Sequence, residues 1–109
     1  MKKKILIAAA LLILVSATAS TQCLLTFQTE VIPAMTVGQQ FDFQIEAVSG
    51  TEPYHFSIFD GAFPQGIHMT PNGRVHGKPK TAEGTVVFIT VTDDAGCQLT
   101  QAFDIQVNP

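Results

Sequence analysis

From about residue 24 onward, apolar positions recur at every second residue, the period of a strand with one face buried. Phe41, Phe43, Ile45 and Ala47 alternate with Asp42, Gln44 and Glu46. Tyr54, Phe56 and Ile58 alternate with His55, Ser57 and Phe59, and Val87, Ile89 and Val91 with Phe88, Thr90 and Thr92. Near the end Leu99, Phe103, Ile105 and Val107 share a face opposite Thr100, Ala102, Asp104 and Gln106, with Gln101 interrupting the apolar set. A first strand is expected at about Leu24–Phe27. No part of this region keeps an apolar repeat of 3.6 residues, so the expected fold class is all-β.

Turn chemistry separates the runs. Ser49-Gly50-Thr51-Glu52-Pro53 breaks the chain between two strands, and Phe63-Pro64-Gln65-Gly66 places Pro and Gly for a type I turn. Asn72-Gly73, between Ile67/Met69 and Val75, signals a two-residue hairpin, because both residues tolerate positive φ. Asp94-Ala95-Gly96 makes the last hairpin turn. About seven short strands with this punctuation predict a single immunoglobulin-like β-sandwich. There is no internal repeat, low-complexity segment or second domain.

The first 19 residues follow a different pattern. Lys2, Lys3 and Lys4 precede the apolar run Ile5–Val15, and Ser16-Ala17-Thr18-Ala19 offers small residues for cleavage after Ala19. This is the layout of a secretory signal peptide over 1–19, ahead of a domain over 20–109. The apolar run is too short for a membrane anchor, which needs about 20 residues. Gln22 stands where a lipoprotein signal has a small residue before its cysteine. Removal of 1–19 leaves Arg74, Lys78 and Lys80 against nine carboxylates, a net charge of −6. Such a chain lacks the basic surface that nucleic acid or an anionic membrane requires. The expected location is extracellular, cell-surface or periplasmic.

Cys23 and Cys97 are the two cysteines. Export favours a disulfide between them, closing a loop of about 75 residues worth about 4.5 kcal/mol in the chain-entropy model. A metal pair and an intermolecular bridge are the alternatives. In an immunoglobulin-like sandwich the first strand starts at the end where the last hairpin turns, which suits a bond between Cys23 and Cys97.

Several motifs stand at characteristic spacing: Gly50-Thr51-Glu52-Pro53-Tyr54-His55-Phe56, Phe63-Pro64-Gln65-Gly66-Ile67, Asn72-Gly73-Arg74-Val75-His76-Gly77-Lys78-Pro79, and Gly84-Thr85 through Val91-Thr92-Asp93, with Val37-Gly38 before the Phe41 strand. The chain resembles the bacterial Putative Ig domain family, cadherin-like and dystroglycan-type sandwiches of surface and secreted proteins. The resemblance runs from about Cys23 to Asn108. It implies a spacer or adhesive module, with a cysteine pair placed as here in some members. Because this domain stands alone, a spacer role is not expected.

The resemblance also implies calcium as a ligand, since cadherin-like relatives often bind it. Asp93, Asp94 and Glu52 are the candidates, all expected at one end of the sandwich. The competing reading gives Asp93 and Asp94 to turn hydrogen bonds around Gly96. No other cofactor is expected. His68 and His76 flank the Asn72-Gly73 hairpin and are expected to point outward, where they could begin a zinc or copper site, although a third ligand is not evident. Ser20, Ser49 and Ser57 sit in no nucleophile turn, so no catalysis is expected. Phe59, Phe63 and Phe88 are the candidate aromatics for binding a protein or glycan at a cell surface. The expected function is a secreted or surface-associated, non-catalytic binding or adhesion module. Its rivals are a structural subunit that self-associates through edge strands and a calcium-binding cadherin-like adhesion domain.

Overall fold

Each alternating run becomes a strand because its apolar side chains find a second apolar face to cover them. The computed structural model describes residues 23–109, so the signal peptide expected over 1–19 lies outside the described residues. The strands are β1 (Thr26–Phe27), β2 (Met35–Thr36), β3 (Phe41–Gln44), β4 (Ala47–Val48), β5 (His55–Gly61), β6 (Ile67–Met69), β7 (Arg74–Gly77), β8 (Glu83–Thr92) and β9 (Gln98–Asn108). One sheet has the order β2-β9-β8-β5, a second β3-β7-β6, and β1 pairs with β4. All pairs are antiparallel except β2 with β9.

These nine segments correspond to the seven strands expected. β1 and β2 are two halves of a first strand that leaves β4 and joins β9 after Pro33, which has no amide hydrogen to carry a ladder onward. β3 and β4 are likewise one run, broken at Ile45–Glu46, where the Ile45 amide turns to the Gly73 carbonyl at 2.9 Å. The two layers meet in one core. Val75 of the small sheet is fully buried, as are Val87, Ile89 and Val91 of the large one. Phe27 bridges the layers, with its ring 5.4 Å from that of Phe103 and 6.2 Å from that of Phe56.

The β8–β9 ladder is the longest, running from Glu83↔Val107 to Thr92↔Gln98. Gln101, the polar interruption of an apolar face, sits opposite buried Ile89 and donates its side-chain amide to the Thr29 carbonyl at 3.4 Å. Hydrogen bonding is what lets a polar side chain occupy that half-buried place.

Three local expectations are corrected. The Pro64 turn begins one residue later than expected: Ile67 donates to the Pro64 carbonyl, and Gly66 has φ +95° at the third position, the mark of a type II turn. The hairpin at Asn72-Gly73 is longer than two residues. Gly73 donates to the Thr70 carbonyl and Thr70 to that of Arg74, with Pro71 at the second turn position and positive φ at Gly73 alone. Proline presets φ near −65°, which directs this stretch into a type I turn followed by a glycine bulge. Lastly, the alternation in β5 fails at Phe59. Ile58 pairs with Ile89 and Asp60 with Phe88, so Phe59 is the extra residue of a bulge.

Candidate functional site

Asp93 ends β8 and opens the last hairpin, and its carboxylate turns inward. Oδ1 accepts the amides of Ala95 at 3.0 Å and Cys97 at 2.8 Å, while Oδ2 accepts that of Thr51 at 3.0 Å. The side chain is buried, and the Thr51 amide foremost, with those of its own turn, holds its carboxyl below the usual carboxylate range against the opposing effect of burial. The Asp94 amide answers by donating to the Thr51 carbonyl at 2.8 Å. Tyr54 completes the junction, its hydroxyl lying 3.1 Å from the Gly50 amide and 3.2 Å from the Gly50 carbonyl. A Cβ on Gly50 would stand 2.7 Å from Leu25 Cδ1 and 2.9 Å from Asp93 Oδ2, so a larger residue there has to displace the side chains of the junction. Cys23 and Cys97 are disulfide-bonded beside this junction with Cα atoms 5.8 Å apart, which resolves the cysteine alternatives in favour of the internal bond.

The candidate calcium residues therefore share one end of the sandwich but not one ligand sphere. Asp93 faces amide donors, whereas Asp94 and Glu52 are exposed. Among the described residues, no three His, Cys, Asp or Glu side chains form a group that could hold a metal ion. The turn reading of Asp93 is the geometry observed. Its bond to Thr51 depends on packing and left no local signal.

A second region lies on the outer face of the large sheet. Phe88 points away from the core between its register partners Asp60 and Ala102, and Val86, two residues earlier, stands opposite Asp104. Thr90 and Thr100 pair above Phe88, with hydroxyls 2.6 Å apart. The exposed fractions there are 72% for Phe59, 43% for Val86 and 38% for Phe88, while Ile58, the register partner of fully buried Ile89, is 46% exposed at the open edge of the inner face. Phe63, the third candidate aromatic, instead packs against the core from its loop. Ile58 and Val86 were not singled out in the sequence. Val86 precedes Phe88 by two positions, a signal that was available, whereas Ile58 is exposed at the bulged edge strand and carried no such signal.

A shallow groove of about 390 Å³ opens on another side, lined by Gln44, Glu46, Glu52, Tyr54 and Asn72 over the apolar floor of Ile45 and Phe56. Its amides and carboxylates suit hydrogen bonding to hydroxyl groups.

The sequence profile described as Putative Ig domain matches residues 24–108, nearly all of the described chain. The chain belongs to the Putative Ig domain family. No curated protein matches it. This Putative Ig domain is similar in fold to part of a protein from Bacteroides fragilis described as a putative alpha-galactosidase/melibiase. That likeness has a TM-score of 0.67 and 19% identity, over 77% of this chain and 17% of that one. A second Bacteroides fragilis protein, described as a putative alpha-galactosidase, gives 0.66 and 18%, again over 77% and 17%. The Putative Ig domain thus spans about a sixth of the length of either protein. The SrpA adhesin of Streptococcus sanguinis is similar at TM-score 0.49 and 16% identity, over 76% of this chain and 57% of that one.

Proposed function

We propose that this Putative Ig domain is an exported, non-catalytic binding module that holds a protein partner on the outer face of β5, β8 and β9. The observation that carries the reading is the arrangement around Phe88. Exposed Val86, Phe88 and Ala102 are rimmed by Ser57, Asp60, Thr90, Thr100 and Asp104, with Phe59 projecting at the bulge beside them. An apolar centre within a polar rim is the anatomy of a recognition surface, and exposed aromatics are its usual anchors. Export is supported by the layout of residues 1–19 and by the disulfide, a bond that persists in oxidising compartments.

The test immobilises the oxidised protein and compares what the parent and a Phe59→Ser/Phe88→Ser variant retain from envelope and surface extracts, with calcium and with chelator. The expected result is a specific protein whose affinity falls at least about tenfold in the variant, while the melting midpoint stays unchanged. Equal retention by both would remove the outer face from the reading. Retention of a glycan sensitive to Glu46→Ala or Asn72→Ala would move the site to the groove. Retention of the domain itself would favour a self-associating subunit pairing through the exposed edge of β5, and loss under chelator would bring calcium back.

A further inference from the structure

The small sheet carries three polar side chains in one row. Asp42 on β3 is the register partner of His76 on β7, and His76 is the partner of His68 on β6. Register partners on antiparallel strands share a face, so a carboxylate and two imidazoles stand side by side. That face looks away from the core, because Val75, the neighbour of His76, is fully buried while His68 is exposed and His76 half-buried. The two imidazole centroids are 6.5 Å apart, with ring planes inclined at 56°.

A metal held by one nitrogen of each ring at about 2.05 Å and a near-tetrahedral angle would place the centroids roughly 5 Å apart. The rings need to close by about 1.5 Å, within reach of side-chain rotation at a solvent-facing site. Asp42 stands on the far side of His76 from His68, the place from which a carboxylate can accept the ring hydrogen that a metal-bound imidazole leaves free. Two cations lie within two residues of His76: exposed Lys78 just beyond β7, and Arg74 on the same face as His76. Arg74 carries the charge closest to Asp42. It is paired to Asp42 through Nε–Oδ1 at 2.9 Å and Nη2–Oδ2 at 2.6 Å, which offsets its charge.

We propose that His68 and His76 form a binding site for a divalent transition-metal ion of the zinc or nickel type, with Asp42 as the carboxylate behind His76. Water fills the remaining coordination positions, and because β6 is an edge strand the open side faces solvent.

The test titrates zinc chloride, and separately nickel chloride, into the purified protein at neutral pH by calorimetry. One equivalent should bind, and His68→Ala and His76→Ala should each weaken it by more than the roughly 10–100-fold that outer carboxylates are worth. Nickel should broaden the imidazole NMR signals of His68 and His76 ahead of those of His55. Both histidines face away from the core, so without metal the His68→Ala and His76→Ala proteins should melt within a few degrees of the parent. A variant that melts early is replaced by His→Gln at the same position. No binding at millimolar metal, affinity unchanged in both variants, or nickel broadening confined to other residues would each overturn the proposal.

Discussion

The turns at Thr70–Arg74 and Asp93–Cys97 close their hairpins with the same two backbone bonds. In each, the first residue donates to the carbonyl of the fifth, and a glycine in fourth place donates back to the carbonyl of the first. The two glycines have nearly the same φ, +92° at Gly73 and +91° at Gly96. What differs is the opening side chain. Thr70 bonds only within its own turn, through its hydroxyl to Asn72 and the Arg74 amide. Asp93 bonds two amides of its turn and a third from the Thr51 loop, beside a disulfide to the first strand. One plan therefore makes a local hairpin in one place and a junction of three chain segments in the other. A second carboxylate oxygen and burial make the difference, not the turn type.

Removing the covalent part of the junction should have the largest effect. Cys23→Ser/Cys97→Ser should lose about 4 kcal/mol in denaturant melts, because the bond spans 74 positions of sequence and restrains the unfolded chain. A loss below about 1 kcal/mol would show that the unfolded chain is already compact there.

The next effect separates the two turns. Asp93→Asn keeps the shape but turns an amino group toward the Thr51 amide, and should lower the melting midpoint by roughly 10–20 °C. Thr70→Ala should cost only about 1 kcal/mol. The two also differ in pH response. Because the folded state lowers the Asp93 pKa, its contribution is complete above the ordinary aspartate value and is lost as pH falls through the lowered one. The parent should therefore weaken on acidification below about pH 4, and Asp93→Asn should weaken less there. Equal costs for Asp93→Asn and Thr70→Ala would erase the distinction. The smallest expected effect is that of calcium. With Asp93 already saturated by amides, millimolar calcium should leave the midpoint where chelator leaves it, and a rise would show a binding site.

The period-two pattern was enough to read the strands and their inner faces, because Val87, Ile89, Val91, Phe103, Ile105 and Val107 are buried on schedule. The turns were legible in place but not in type. Pro71 at the second position of the Thr70 turn outweighs the Asn72-Gly73 pair, and that choice sets the register. A two-residue turn at Asn72-Gly73 would have placed His68 opposite Gly77. The longer turn places it opposite His76, so the two histidines read together from the sequence are direct partners, whereas Asp42 joins them through the β3–β7 pairing, which no local signal marks. The bulge at Phe59 was hidden for another reason. Two apolar residues in succession, Ile58 and Phe59, read equally well as one more alternation or as its failure.

The covalent link between Cys23 and Cys97 also fixes how the domain carries a pulling force. A pull applied between Cys23 and Asn108 would cross the sulfur atoms and pass along β9. The strands from β1 to β8 lie in a loop outside that line, so stretching the chain cannot draw them out while the bond is intact. That loop, with its 74-position span, holds back about 250 Å of extended length. Under such a pull the bonded domain would stay nearly inextensible, and reduction would make it long and compliant.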